Sequence, residues 1–199
     1  MSPVFPKCEP PERLGVARAV PQFTPPGANQ IYAPGSEGGA NYGPMSYSPR
    51  TGLLCVNAVD SPLGARRPAR GYFSAFDPVS GELAWQQTFD GWGQAGSVVT
   101  AGGLVFAGTG SNVAGYLFAF DAKTGAELWT VTLPGAAEAT PMTYQAPDGR
   151  QYIVITATGG GFFGSHVGSH SWIPVGREHA PCLAARAVRG GWVRASRGP

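Results

Sequence analysis

Short hydrophobic runs separated by turn residues occupy the chain from Asn41 onward. In "MSYSPRTGLLCVNAV" a Ser-Pro-Arg-Thr-Gly stretch separates two candidate strands, because Pro presets a φ of about −65° and Gly supplies a positive φ. "GYFSAFDPVSGELAWQQTF" adds two more strands about a turn, and "GSVVTAGGLVFAGTG" and "GYLFAFDAKTGAELWTVTL" repeat the arrangement. The pattern predicts units of four strands joined by tight turns.

Two of these segments are copies of each other. "AFDPVSGELAW" recurs 44 residues later as "AFDAKTGAELW", and a period of about 40–45 residues is typical of stacked supersecondary units. We expect Asp77 and Asp121, in the shared Asp-x-x-Ser/Thr-Gly stretch, to accept hydrogen bonds from turn amides rather than to act as acids or bases. Trp85 and Trp129 are predicted to pack between neighbouring sheets.

Four-stranded sheets stacked radially make a β-propeller. We therefore predict an all-β fold, a partial β-propeller with two complete four-stranded blades and part of a third. The third unit begins as "ATPMTYQAPDGRQYIVITATGGG", with Asp148-Gly149 as its hairpin turn. Residues 166–199 lose the alternation, and we expect a disordered tail or one read in a shifted frame from near Ser165. Residues 1–34 are rich in proline and are predicted to form an arm or loop.

The composition of the chain limits which partners and which cellular compartment we expect. A formal net charge of +2, with 13% charged residues, weighs against nucleic acid and membrane surfaces as partners. The sequence contains neither an apolar run of about 18 residues that could span a bilayer nor a secretory signal, so the chain as written is expected to stay in the cytoplasm. Cys8, Cys55 and Cys182 are odd in number and far apart, which favours unpaired thiols over a disulfide framework or a haem attachment.

Several ordered motifs together resemble the C-terminal part of the pyrroloquinoline-quinone (PQQ) dependent, or quinoprotein, alcohol dehydrogenases. They are "GGANYGPMSYSPRTGLL", "VVTAGGLVFAGT", "AFDAKTGAELW" and "PDGRQYIVITATGGG", and they place the propeller region at residues 35–165. The resemblance implies an eight-bladed propeller in the periplasm that holds PQQ and a Ca²⁺ ion on its central axis. It also implies that this chain, with two and a half units, is a fragment of such a fold.

The resemblance further implies which residues approach the cofactor. Asn41 matches an amide that contacts the PQQ edge, although Tyr42 stands where the family has Trp, and an Asn beside glycines is otherwise typical of turns. Trp92 matches the Trp that stacks under the ring, facing the axis, and Gly161 and Phe162 match a Gly-Trp pair at the cofactor rim. The family's Ca²⁺ ligands and catalytic Asp come from earlier blades, so we predict no catalytic or metal-binding residue in this sequence.

Other polar residues are weaker candidates. Asp60 and Asp90 do not match the family's base motif and are expected to be solvated loop acids. His166 and His170 have a spacing that could hold zinc on a helix, but with His179 they lie in the tail and have no accompanying general base. A zinc site is therefore not predicted.

Two functions stay open. The first is the C-terminal fragment of a PQQ-dependent dehydrogenase that oxidises small alcohols or sugars by hydride transfer to PQQ, inactive alone. The second is a non-catalytic propeller scaffold for protein binding, although such a scaffold has no need of the aromatic platform that Trp92 would supply. In either case the open blade faces and unpaired edges of a partial propeller predict self-association.

Overall fold

The structure is a computed structural model that describes residues 34–35, 39–62, 68–91, 93–110, 115–147, 149, 151–159, 173–178 and 182–185. These residues form twelve strands: β1 (Ser46–Ser48), β2 (Leu53–Asp60), β3 (Arg70–Phe76), β4 (Leu83–Asp90), β5 (Ser97–Val99), β6 (Leu104–Gly110), β7 (Gly115–Asp121), β8 (Glu127–Leu133), β9 (Met142–Gln145), β10 (Gln151–Ile155), β11 (Ile173–Glu178) and β12 (Cys182–Ala185). In this described part no helix occurs, and hence none that could cross a membrane.

Each run of four consecutive strands forms one antiparallel sheet. The first sheet has the order β1-β2-β3-β4, the second β5-β6-β7-β8 and the third β12-β11-β10-β9. The two copies of the repeat lie in separate sheets and share one irregularity, a register shift at Ala75/Phe76 and at Ala119/Phe120. The predicted all-β fold, a partial β-propeller, is confirmed.

The third sheet extends further than the sequence pattern predicts. Its strands β11 and β12 lie in the tail, and β11 pairs with β10 from Ile155↔Ile173 to Tyr152↔Gly176. A strand ladder is made by backbone groups, so it can form without the alternation of side chains that sequence reasoning looks for. The third sheet thus has four strands where two were predicted, while the shifted frame stays a prediction.

Two hydrophobic clusters hold the three sheets together. The first cluster lies between the first and second sheets and consists of Leu53, Cys55, Phe73, Ala75, Trp85, Val105, Ala107, Phe120 and Ala122. The second cluster joins the second and third sheets through Phe106, Leu117, Ala119, Leu133, Ala137, Ile153, Ile155 and Ala157. Because successive side chains of a strand point to opposite faces, β7 contributes to both clusters, and the second sheet is buried on both faces.

Trp85 docks the first sheet onto the second. Its side chain is 8% exposed, its ring lies 6.3 Å from that of Phe120, and its Nε1 donates a hydrogen bond to the Ala122 carbonyl at 3.3 Å. Gly125 lies against the indole, so closely that an added Cβ would overlap the ring. Trp129, the matching residue of the second sheet, is half-buried against the second cluster. Both tryptophans pack between sheets, as the repeat predicts.

The aspartates of the repeat close its turns. Oδ1 of Asp121 accepts hydrogen bonds from the amides of Lys123 (2.9 Å) and Thr124 (2.8 Å) and from the Thr124 hydroxyl (3.0 Å). Asp77 accepts from the amides two and three residues further on, at 2.8 and 3.2 Å. The hydrogen bond from the Thr124 amide is the main cause that lowers the pKa of Asp121. Both carboxylates therefore act in local structure, as predicted.

The other predicted turns also form. Between β1 and β2 the Ser48 carbonyl accepts hydrogen bonds from the amides of Thr51 (3.2 Å) and Gly52 (2.8 Å). Between β9 and β10 the Ala146 carbonyl accepts one from the Gly149 amide at 2.9 Å. Asp148, the other residue of the predicted hairpin turn, lies outside the described residues.

Alanine substitution at two glycines separates backbone strain from sheet docking. Gly52 and Gly125 have φ of 75° and 73°, but an added Cβ meets nothing within 4 Å at Gly52 and overlaps Trp85 at Gly125. Gly52→Ala should therefore lower the free energy of unfolding by roughly 1–2 kcal/mol, the cost of a left-handed conformation. Gly125→Ala should lower it by about 1–3 kcal/mol more, because overpacking adds to the strain. Urea denaturation measures both, and equal losses would contradict the docking role of Trp85.

Low pH should destabilise the turn between β7 and β8, which Asp121 closes. Its pKa is lower in the folded chain than in the unfolded one, so its bonds stabilise the fold above the unfolded value of about 3.9. That stabilisation is lost as the pH falls through the lower folded value. Asp121→Asn keeps an acceptor oxygen but not the charge, and should flatten the acid limb of the stability curve slightly, since the group is solvent-accessible. Parallel urea midpoints for both proteins from about pH 3 to 7 would contradict this assignment.

Candidate functional site

Two segments carry the chain from the last strand of one sheet to the first strand of the next. We call residues 91–96 the first crossing segment and residues 134–141 the second crossing segment. Loops ordinarily run over the surface, yet residues 93–96 of the first crossing segment are all buried. A buried backbone needs hydrogen-bond partners within the protein, so this segment must be held by its neighbours.

The segment that leads into β1 packs directly on the first crossing segment. An added Cβ at Gly43 would overlap the carbonyl oxygen of Ala95, and the amide of Ser97 donates to the Pro44 carbonyl at 3.2 Å. Only glycine permits this close approach of the two backbones. The contact fixes the chain on which Asn41 lies, two residues before Gly43.

Of the four predicted cofactor residues, Asn41 lies in the described part of the chain and is exposed. Trp92, Gly161 and Phe162 lie outside the described residues. Trp92 belongs to the first crossing segment, which contacts the segment of Asn41 through Gly43. The structure therefore places the segment of Asn41 against Gln94 and Ala95, which follow Trp92 in the chain.

The acidic candidates lie at strand ends. Asp60 ends β2 and Asp90 ends β4, and both stand opposite Arg70 in the register of the first sheet. Both aspartates were expected in loops, and the structure places them instead at the ends of strands. Throughout the described ranges no group of three His, Cys, Asp or Glu side chains could hold a metal ion. The three histidines lie outside those ranges.

Cys55 is a core side chain. It lies in β2 within the first cluster, fully buried and with a free thiol. Desolvation raises its pKa to about 11, so the reactive thiolate is scarce at neutral pH. The predicted unpaired thiol is confirmed for Cys55, while Cys8 and the side chain of Cys182 lie outside the described part.

Sequence reasoning missed two buried amides beside the first crossing segment. Asn57 is 4% exposed, and its Nδ2 donates a hydrogen bond to the Ala95 carbonyl. Gln94 is 7% exposed, and neither its Nε2 nor Oδ1 of Asn57 has a hydrogen-bond partner among the described residues. The available signal was a lone amide in the core-facing row of β2, between Cys55 and Val59.

The described part of this region offers hydrogen-bonding groups for a ligand. The exposed side chain of Asn41 offers amide N–H donors to a ligand. Donors without a fixed negative charge suit a planar, anionic group that is rich in acceptors, and PQQ is such a group. The residues present therefore fit the cofactor that the sequence motifs imply.

Comparison with known proteins places this geometry in a wider context. Residues 87–153 match the PQQ family described as "Glucose/ethanol/alcohol dehydrogenase, beta-propeller domain". The chain is 36% identical over 149 residues to the quinoprotein ethanol dehydrogenase of Pseudomonas aeruginosa, covering 62% of this chain and 23% of that protein. It is 34% identical over 159 residues to the lanthanide-dependent methanol dehydrogenase of Methylacidiphilum fumariolicum, covering 66% and 25%.

Solved structures agree with the sequence comparison. The crystal structure of the quinohemoprotein alcohol dehydrogenase from Comamonas testosteroni superimposes with a TM-score of 0.58 at 27% sequence identity. The match covers 64% of this chain and 23% of that one. The chain thus spans about a quarter of the length of the relatives that it matches.

Proposed function

Since the chain belongs, over its propeller region, to the family of PQQ-dependent quinoprotein dehydrogenases that act on alcohols and sugars, we propose that it forms one wall of a PQQ site. The full site would oxidise a small alcohol or sugar by hydride transfer to the quinone. One observation carries this proposal: the segment of Asn41 packs on the first crossing segment, to which Trp92 belongs. Two candidate contacts that lie 51 residues apart in sequence are thereby held on adjacent segments.

In this proposal the residues of the chain bind and orient the cofactor. Asn41 would donate an amide N–H to an oxygen of PQQ, Trp92 would stack on its ring, and Gly161 and Phe162 would lie near its rim. The cofactor, when bound, supplies the hydride acceptor. The internal repeat supports the role of Trp92, because the position 44 residues further on is Ala136, a small buried residue. The repeat itself therefore needs no indole there.

The catalytic base and the metal ligands are proposed to come from parts of the fold outside this chain. The chain would then be a fragment of a larger propeller and inactive alone, in the periplasm if it follows the family. The small share that it covers of the relatives, 23% and 25% in the two above, supports this reading. The name of one relative specifies a lanthanide, and Ca²⁺ is the ion that the sequence resemblance implies.

Titration with PQQ tests the site directly. PQQ should quench the tryptophan emission of the chain to saturation, and Trp92→Ala should remove most of that quenching. Asn41→Ala should raise the Kd about tenfold, since a hydrogen bond to a charged group contributes about 1.5–3 kcal/mol. Trp129→Phe is the matched control and should leave the Kd unchanged, because Trp129 packs against the second cluster.

The titration also distinguishes between the two candidate functions. Absence of saturable quenching, or full quenching in Trp92→Ala, would contradict the cofactor site and favour the non-catalytic scaffold. The same preparation, supplied with PQQ, Ca²⁺ and a primary alcohol, is expected to reduce no dye. Steady turnover would overturn the proposal that the base and the metal ligands lie elsewhere.

We also propose that the isolated chain self-associates through the outward faces of its first and third sheets. Within the described residues both hydrophobic clusters pack on the second sheet. Large apolar side chains in or next to β1 and β9, by contrast, are exposed: Met45 (53%), Tyr47 (54%), Met142 (52%) and Tyr144 (44%). Exposed patches of this kind favour association. Sedimentation velocity should show species heavier than one chain that increase with concentration. A single monomeric boundary at all concentrations would contradict it.

A further inference from the structure

We infer that Asn57 is a positioning residue that fixes the first crossing segment against the segment of Asn41. Its role at the cofactor site rests on the function proposed above, whereas the contact itself does not. Asn57 reaches no cofactor atom, since its side chain is 4% exposed and faces the second sheet. It acts through Ala95, whose carbonyl accepts its amide N–H.

The polar character of Asn57 is unexpected for its place. Its neighbours in the same row of β2 are Cys55 and Val59, both buried in the core. A leucine would fill this volume without desolvating an amide, whereas Oδ1 of Asn57 has no partner among the described residues, and a buried polar atom without a partner destabilises the fold. What the amide adds is a directional bond to a buried carbonyl, which apolar packing cannot supply.

The internal repeat provides a comparison within one molecule. Asn57 stands opposite Phe73 in the first sheet, and Gly108 stands opposite Leu117, 44 residues after Phe73, in the second. An added Cβ at Gly108 would lie 2.6 Å from the Ala137 carbonyl oxygen. The second crossing segment therefore rests directly on the strand backbone, with no room for a side chain. Of these two described sheets, only the first has a side chain at this position that bridges the strand and the crossing segment.

The crossing segment that Asn57 holds is also the one that contains a tryptophan. The first contains Trp92, and the second has Ala136 at the equivalent position. Next to Trp92 the first segment is also fixed by close packing, since a Cβ at Gly71 would lie 2.7 Å from the amide nitrogen of Gly93. Asn57 adds a second point of attachment at Ala95. Together these contacts fix the backbone that follows Trp92.

A spectroscopic test reports on the segment directly. The whole chain is labelled with 5-fluorotryptophan, and the ¹⁹F resonance of Trp92 is assigned by its loss in Trp92→Phe. Asn57→Leu, which keeps the branching of the side chain and removes the amide, should shift or broaden the Trp92 resonance and leave those of Trp85 and Trp129 in place. Ser74→Ala is the matched control. Ser74 is another buried polar residue of the first sheet, 4% exposed, and it accepts a hydrogen bond from Gln86 at 2.9 Å.

The same variants are then titrated with PQQ. Asn57→Leu should raise the Kd about tenfold, and Ser74→Ala should change it less than about twofold. If Asn57→Leu does not fold, Asn57→Asp, of nearly the same volume, serves in its place at neutral pH. An unchanged Trp92 resonance, or equal shifts of all three assigned resonances, would overturn the inference. If the unsubstituted chain fails to bind PQQ while the selective shift is seen, the proposed function fails and the positioning contact stands.

Discussion

The burial of one sheet face against the next is the interaction on which the rest of this structure depends. A four-stranded sheet has two faces, and the second sheet buries both because its strands place apolar side chains on each side. Trp85 has the largest side chain in the first cluster, where it packs on Phe120 and donates a hydrogen bond to the Ala122 carbonyl. Its close contact with Gly125 leaves little freedom in how the sheets meet.

That docking determines the course of the crossing segments and hence the candidate site. With the two sheets in fixed contact, the first crossing segment has to pass between them, which is why residues 93–96 are buried. Its backbone then requires close glycine packing at Gly43 and Gly71 and a donor for the Ala95 carbonyl, which Asn57 supplies. The candidate site thus lies on loop segments that pack closely against strands, and such support helps a binding site to hold its ligand.

Sequence similarity and geometry contribute different parts of the proposed function. The comparisons identify the chemistry of the family, PQQ-dependent oxidation, over a stretch that amounts to 23% of one relative. The geometry shows that the segment of Asn41 packs on Gln94 and Ala95, which follow Trp92 in the chain. The buried and protonated thiol of Cys55 belongs to the core and not to that chemistry.

Features that depend on near neighbours could be predicted from the sequence: the turns at Asp77 and Asp121, the four-stranded units and the place of Trp85 between sheets. Those features follow from hydrogen bonds over two or three residues and from an exact period, both readable in one dimension. Two features became visible in the folded chain alone: Asn57 bonds to Ala95, 38 residues away, and tail residues complete the third sheet. In both contacts at least one partner is a backbone group, which every residue carries, so the sequence does not identify which distant residue will supply it.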